Sequence, residues 1–387
     1  MTNKPFIIII AHVNDNAKLL SFTKIKDKAG GVMKGIILVG GFGTRLRPLT
    51  ANIPKPIIPI VNKPFLVYQI ELLKMYGITE IILATGHLSQ TIKTILGTGE
   101  NYGVKIIYSL ENQPLGTGGA VKLASKHLKG DGAFILNGDV LTDINLEKLY
   151  RFHKEKKAKV TISLVPVADP TKFGLVETNE NSQIRAFIEK PGPNEITTNM
   201  INAGAYYFEN EIFDLIPPEI NYSLERGLYP MLLDKKVPFY AYNSSDYWLD
   251  IGTPKKYLEA NKDILEEKVN IPALLKTKKS GSVFIGENAQ ISKKVRMLSM
   301  AAIGEKTIIQ QGATVTDHSV VGNHCIIEEG AQILGSIILD NSFIGKNSKI
   351  VNAIIGQNCK IMPYTSIEGG LLKIIGDGAY IPEHSMI

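Results

Sequence analysis

The chain is poor in the residues that build disulfide scaffolds, zinc sites and histidine-centred catalysis. Its 387 residues include two cysteines, seven histidines and one tryptophan. Cys325 and Cys359 have neither the number nor the spacing of a disulfide framework or a zinc site, so a reducing cytoplasm fits. His87 and His127 follow a strand and end a helix, while His318 and His324 share a repeat phase and read as solvent-facing. No Ser-His-Asp or Cys-His arrangement emerges.

Long apolar runs are missing too. Phe6-Ile7-Ile8-Ile9-Ile10 falls far short of the roughly 18 residues a membrane helix needs, which predicts no membrane anchor. The net charge of +6 is a small excess without Lys/Arg runs. Lys154, Lys156, Lys157 and Lys159 are the densest group and read as a solvated helix end, which speaks against nucleic acid and leaves small anionic substrates. A hydrophobic content of 44% supports two domains with separate cores.

Against these absences stands one dense motif, Gly40-Gly41-Phe42-Gly43-Thr44-Arg45-Leu46-Arg47-Pro48-Leu49-Thr50, followed by Pro54-Lys55-Pro56. The apolar run Lys34-Gly35-Ile36-Ile37-Leu38-Val39 reads as a buried strand, so the glycines sit at its exit. Gly40, Gly41 and Gly43 let the backbone turn tightly and aim its N–H groups at an anion, beside Thr44, Arg45, Arg47 and Lys55. The implied ligand is a polyphosphate. The ending is not that of a Walker A loop, nor is the spacing that of a dinucleotide fold.

After the loop, helical spacing over residues 64 to 76, a strand at 80 to 84, a helix at 89 to 96, a strand at 104 to 108, a helix at 118 to 128 and a strand at 133 to 136 predict βαβ alternation. This gives an α/β, Rossmann-like, mainly parallel sheet covered on both faces. Ligands should gather at the strands' carboxyl ends, where Gly40 to Gly43 and Asn137-Gly138-Asp139 lie. Residues 159 to 208 turn β-rich and read as a second half of the same domain. A helix from about 254 to 267 closes this part, and residues 268 to 282 read as a linker.

From Ile285 the pattern repeats every six residues. Ile285, Ile291, Met297, Ile303, Ile309, Val315, Val321, Ile327, Ile333 and Leu339 are in phase, most of them followed four positions later by a small residue such as Ala289, Thr307, Ser319 or Cys325. Neither a helix nor an alternating strand has this period. Three six-residue faces close a triangular coil in which Ile285 stacks on Ile303 and Ile303 on Val321. The phase is expected to slip near Ile344 and Ile355. The pattern resembles the left-handed parallel β-helix of hexapeptide-repeat proteins.

Two carboxylates, Asp139 after Asn137-Gly138 and Asp250 after Tyr247-Trp248-Leu249, could each be a helix cap. Beside a phosphate loop they make a Mg²⁺ pair, since magnesium takes a couple of carboxylates plus phosphate oxygens and water.

The motif GGxGTRLRPLT followed by PKP resembles the signature of the sugar-1-phosphate nucleotidyltransferases, and the resemblance covers residues 33 to about 384. It implies a catalytic domain at 33–267, a linker at 268–282 and a β-helix at 283–387. Residues 1–32 lie outside it and are expected to be a poorly packed extension from an upstream start. The resemblance assigns the nucleotide's phosphates to the glycine loop, the leaving pyrophosphate to Arg45, phosphate contact to Lys55 and the metal to Asp139 and Asp250. In Glu189-Lys190-Pro191 it gives the sugar phosphate to Lys190 and sugar hydroxyls to Glu189, with Phe173-Gly174 and Asn202-Ala203-Gly204 lining the sugar pocket.

Glu111, five positions before Gly116-Thr117-Gly118, falls in the segment that folds over the base in this family. Guanine offers N1–H and N2–H₂ side by side to a carboxylate, whereas uracil and thymine suit an amide better. Glu111 therefore tilts the nucleotide toward GTP, and the motifs leave the sugar open. The substrates implied are an NTP and a sugar 1-phosphate, in a cytoplasmic homo-oligomer. Acyltransferases and regulatory subunits of eukaryotic initiation factor 2B also carry β-helices and remain as alternatives from other classes.

Overall fold

The computed structural model describes Ile25, residues 33–41, 43–86, 89–271, 278–280 and 282–387. In Lys34–Leu38 successive side chains point to opposite faces. Ile37, with Leu83 and Leu136 of the neighbouring strands, joins one core under helix Phe65–Met75. Ile36, Ile82 and Ile135 face a second core with Ala120, Val121 and Ala124 of helix Gly116–Ser125. Both faces of the sheet are covered, which is why these strands read as unbroken apolar runs.

Lys34–Leu38 lies between Glu80–Thr85 and Ala133–Asn137, parallel to both, and Lys105–Leu110 extends the parallel half. On the other side of Ala133–Asn137 the sheet changes sense. Met200–Phe208 runs antiparallel to it and pairs in turn with Val160–Pro166 and Gly174–Thr178, while Ile184–Glu189 forms the edge. The nine-stranded sheet is thus mixed. Crossover helices build the half with the glycine loop; antiparallel returns build the half with Glu189.

Beyond helix Pro254–Leu265 the chain winds into a prism with three sheets of seven, six and four strands, parallel throughout except for the first strand of the seven. Strand Lys278–Ser280, in the stretch expected to be linker, pairs antiparallel with Val283–Ile285 at the start of the prism. Ile285, Ile303 and Val321 stack in register as expected. Val321 then pairs with Ile338, one residue before Leu339. The coil has shortened to seventeen residues, so the slip comes one six-residue face earlier than Ile344. Ile338 points into the prism, and Leu339 instead packs into the first core, toward the sheet domain.

The small residues after each apolar position sit at the corners, where hydroxyls take up amides of the next coil. Thr307 Oγ1 accepts from Cys325 N at 3.0 Å, Ser319 Oγ from Ser336 N at 3.1 Å and Ser342 Oγ from Cys359 N at 3.1 Å. A corner amide that the parallel ladder leaves over is satisfied in this way without water.

One prism face lies on the sheet domain. Phe284, Ala302, Val320, Ile337 and Ile354 share the first core with Leu49 and Leu265. His318 is part of this contact: its Nε2 stands 3.1 Å from Glu266 Oε1, so it faces a partner and not open solvent. His87 and most of residues 1–32 lie outside the described residues. Within that extension Ile25 is buried, joins the first core and donates its N–H to Tyr76 O at 2.9 Å, contrary to the expected loose packing at this position.

Ile327 is fully buried in the prism. Ile327→Ala should cost about 2–5 kcal/mol through lost burial and a residual cavity. Gln332→Ala, on the exposed side of a neighbouring strand, should stay within about 0.5 kcal/mol. Urea unfolding of the two variants decides this.

Candidate functional site

The strands Lys34–Leu38, Glu80–Thr85, Lys105–Leu110 and Ala133–Asn137 deliver their carboxyl ends to one cleft of about 1120 Å³. Gly40, Gly41, Gly43, Thr44, Arg45, Lys55, Glu111, Gly116, Thr117 and Asp139 all line it. Gly43 has φ +61°, and a Cβ there would stand 2.9 Å from Lys55 Cβ, so a side chain would both strain the loop and displace the lysine. Gly138 permits a second close approach: its N–H donates to Leu38 O at 2.8 Å, and a Cβ would lie 2.3 Å from that oxygen.

Asp250 reaches the cleft by another route. Trp248–Asp250 pairs antiparallel with Val140–Thr142, setting Asp250 opposite Val140 and beside Asp139. Lys55 Nζ lies between the two carboxylates, 2.9 Å from Asp139 Oδ2 and 3.8 Å from Asp250 Oδ1. Its side chain is 8% exposed. Arg45 completes the group, its NH2 standing 3.9 Å from Asp250 Oδ2. Burial, then the negative charge of Asp139, pushes the Asp250 carboxyl above its ordinary value, and Lys55 and Arg45 oppose that. Asp250 Oδ1 is buried and has no hydrogen-bond donor.

An orphaned carboxylate oxygen beside a second carboxylate, with an ammonium drawn between them, is a donor set suited to a hard cation. Among the described residues no group of three or more His, Cys, Asp or Glu side chains gathers. A divalent ion held here would therefore take much of its shell from phosphate oxygens and water, as magnesium prefers.

Glu111 Oε2 accepts the N–H of Leu115 at 2.9 Å, and burial raises its pKa against that bond. Thr117, expected to bind substrate, has its hydroxyl engaged within the protein. It donates to Glu225 Oε2 at 2.8 Å and accepts from Leu224 N at 2.9 Å. Tyr222 O accepts from Gly118 N at 2.8 Å, and Asn221 Nδ2 donates to Pro114 O. The segment around Tyr222 thus clamps the loop of residues 111–118.

Gly174, Glu189, Lys190 and Asn202 lie on the antiparallel half and do not line the same cleft. They form their own group. A Cβ on Gly174 would stand 3.0 Å from Glu189 Oε2, and Lys190, at φ +55°, donates its N–H to Phe173 O. Burial, then the charge of Glu225, raises the Glu189 pKa, while Lys190 and Arg226 lower it. Asn202 Oδ1 accepts from Gly204 N at 3.2 Å, and Trp248 Nε1 donates to Ala203 O at 2.8 Å.

Sequence reasoning missed several supports. Gln69 Nε2 donates to Asn137 O at 2.6 Å and to Val140 O at 2.8 Å, fixing the turn that carries Asp139. A buried glutamine on the apolar helix predicted at 64 to 76 was the available signal. Asn221 lines the cleft and Glu225 faces Glu189, and neither sits in a motif.

Residues 34–267 match the family model described as Nucleotidyl transferase, and the chain belongs to that family. Residues 280–387 match the model of the EIF2B subunit epsilon LbH domain, in keeping with a left-handed β-helix. Among curated proteins the chain is similar to a mannose-1-phosphate guanylyltransferase of Mycobacterium tuberculosis, 40% identical over 240 residues, which are 62% of this chain and 66% of that one. A mannose-1-phosphate guanyltransferase of Yarrowia lipolytica is 39% identical over 270 residues, 67% of this chain and 73% of that one. The chain thus spans just under two thirds of the mycobacterial protein's length. Among solved structures, HddC from Yersinia pseudotuberculosis complexed with GMP-PN is similar with a TM-score of 0.52 and 29% identity, over 60% of this chain and 100% of that one.

Thr117→Val keeps the side chain's volume, leaves Leu224 N without its acceptor and removes one of the two hydroxyls that donate to Glu225 Oε2, the other being Ser223 Oγ. It should destabilise by about 1–3 kcal/mol, while Thr117→Ser should retain most of the stability. Chemical denaturation of the pair tests the clamp.

Proposed function

We propose that the protein transfers a nucleotidyl group from GTP to mannose 1-phosphate, releasing pyrophosphate and giving GDP-mannose. The observation that carries this is Lys55 set between Asp139 and Asp250 at the mouth of the glycine loop. The relatives named for this activity and the acidic Glu111 support guanine and mannose over the thymidylyl, uridylyl and adenylyl alternatives.

In the reaction an oxygen of the sugar phosphate attacks the α-phosphorus in line, the new P–O bond forms, and the bond to the β-phosphate oxygen breaks as pyrophosphate leaves. The attacking phosphate is already ionised at neutral pH, so no general base is required. The task is to bring two anions together, which positioning and fixed positive charge accomplish. The glycine loop's N–H groups bind the nucleotide's phosphates. Arg45 and Lys55 neutralise charge that builds on the leaving group, and Lys190 holds the incoming phosphate against repulsion. Glu189 accepts from sugar hydroxyls, and Glu111 from the guanine edge. Asp139 and Asp250 would hold Mg²⁺, which when bound supplies further charge neutralisation on the phosphates.

The match of the second domain to the initiation-factor model favours one other reading, a regulatory subunit without turnover. The complete set of Arg45, Lys55, Asp139 and Asp250 argues for an enzyme. Pyrophosphate release is to be measured over a grid of GTP, dTTP, UTP and ATP against mannose-, glucose- and N-acetylglucosamine-1-phosphate. GTP with mannose 1-phosphate is expected to be fastest, and silence across the grid would leave the regulatory reading. Asp139→Ala should abolish turnover, and Lys190→Ala should act mainly on the KM for the sugar phosphate.

The raised pKa of Glu189 gives a pH dependence. As an acceptor it works ionised, so the KM for the sugar phosphate should rise as pH falls through its pKa. Glu225→Gln removes the second cause of the elevation while burial remains, with Lys190 and Arg226 still lowering it. The acid limb of the KM profile should therefore move to lower pH. A limb that stays in place or moves up contradicts the assignment.

A further inference from the structure

Near its end the β-helix changes the length of its coil. Ala353 pairs with Lys373 and Ile361 with Ile381, so this turn spans twenty residues. The residues beyond the extra length return to the sheet domain at the motif that opens the chain's chemistry. Leu372 and Ile374 pack against the core that contains Leu46 and Leu49. A Cβ on Gly376 would stand 3.3 Å from Pro48 Cβ. Next to it, Asp377 Oδ2 accepts a hydrogen bond from Asn52 Nδ2 at 3.3 Å, while Asp377 Oδ1 holds Gln357 N at 2.9 Å.

Pro48 and Asn52 belong to the short connection between Arg45 and Lys55. On its inner side this connection is anchored by Leu46 and Leu49, both fully buried, and by Thr50 Oγ1 donating to Gly43 O at 2.7 Å. Its outer side meets the coil of Gly376 and Asp377. A segment built from single-turn helices has few ladder bonds of its own, so its position depends on what packs on each side. We infer that the last long coil of the β-helix is the backing of the phosphate loop, with Gly376 and Asp377 as positioning residues that act through Pro48 and Asn52 on Arg45 and Lys55. The β-helix is then part of the catalytic apparatus and not an appended module.

The inference rests on reading residues 40–55 as the nucleotide's phosphate site, and the test separates the two. The full chain is compared with Gly376→Val, which pushes on Pro48; with Asp377→Ala, which releases Asn52; and with Gly370→Val, on the same coil with open space around it. Three quantities are read: hydrogen exchange of residues 44–57, melting temperature, and kinetics with each substrate varied in turn. Gly376→Val should speed exchange in 44–57 and lower kcat/KM for the nucleotide by about 10- to 100-fold, because small misplacements of charge-bearing groups are costly. The KM for the sugar phosphate, set on the other half of the sheet, should hold, as should the melting temperature. Asp377→Ala should show the same pattern more weakly, and Gly370→Val none of it.

Unchanged exchange in 44–57 for both Gly376→Val and Asp377→Ala overturns the backing role, as does a KM for the sugar phosphate that rises as much as the KM for the nucleotide. If the wild-type protein turns over no nucleotide, the functional reading falls, and exchange in 44–57 still decides whether the coil holds the loop.

Discussion

Two carboxylates brought within reach of one ammonium set the terms for the rest of the molecule. Asp139 and Asp250 repel each other, and that repulsion adds to burial, the larger cause, in raising the pKa of Asp250. Lys55 offsets it at 2.9 and 3.8 Å from a nearly enclosed position. The scaffold holds this group from two sides. Asp139 hangs on a turn that Gln69 holds by two carbonyls and that Gly138 draws against Leu38. Asp250 hangs on a two-stranded ribbon with Val140–Thr142. The local charge imbalance is the property that a polyphosphate and a divalent cation would relieve together.

The sheet's change of sense divides the labour around that centre. Parallel strands with crossover helices place loops at one end, where backbone N–H groups can converge. Antiparallel strands present side chains along a face and close short turns, which suits a pocket of specific hydrogen bonds beside Glu189 and Asn202. The residues from Asn221 to Glu225 join the halves, since they grip the loop of residues 111–118 through Leu115, Thr117 and Gly118 and bring Glu225 within electrostatic reach of Glu189. The cleft and the group around Glu189 are therefore linked through one shared segment.

The sequence made the parts of this with local cause readable. Glycines at a strand exit followed by Arg45 and Lys55 predict the loop because each residue acts through its own backbone or charge. The six-residue period predicts the prism because every coil repeats one steric problem. What it hid depends on tertiary partners. A coil one residue shorter leaves the apolar run Ile337-Ile338-Leu339 unchanged in character, so only the strand register shows that Ile338 faces inward and Leu339 outward. His318 read as solvent-facing since its partner Glu266 lies in another domain. Thr117 read as a ligand-binding residue, and its hydroxyl serves a segment more than a hundred positions away.

The same distinction bears on why a rigid prism follows the sheet at all. A β-helix satisfies its backbone coil by coil and deforms little, because each corner hydroxyl fixes the next amide. Such an element cannot follow a moving loop, but it can set a wall against which a loop is placed. The face it turns toward the sheet domain is apolar over most of its height, from Phe284 through Val320 to Ile354, which fixes the two bodies along an extended line instead of at a hinge. Rotation about such a line would have to break the contact at Asn62 Nδ2 with Val321 O, the Glu266–His318 pair and the Asn52–Asp377 bond together. The geometry therefore favours a cleft whose charged groups are held in one arrangement before any ligand arrives, the preorganisation that electrostatic stabilisation depends on.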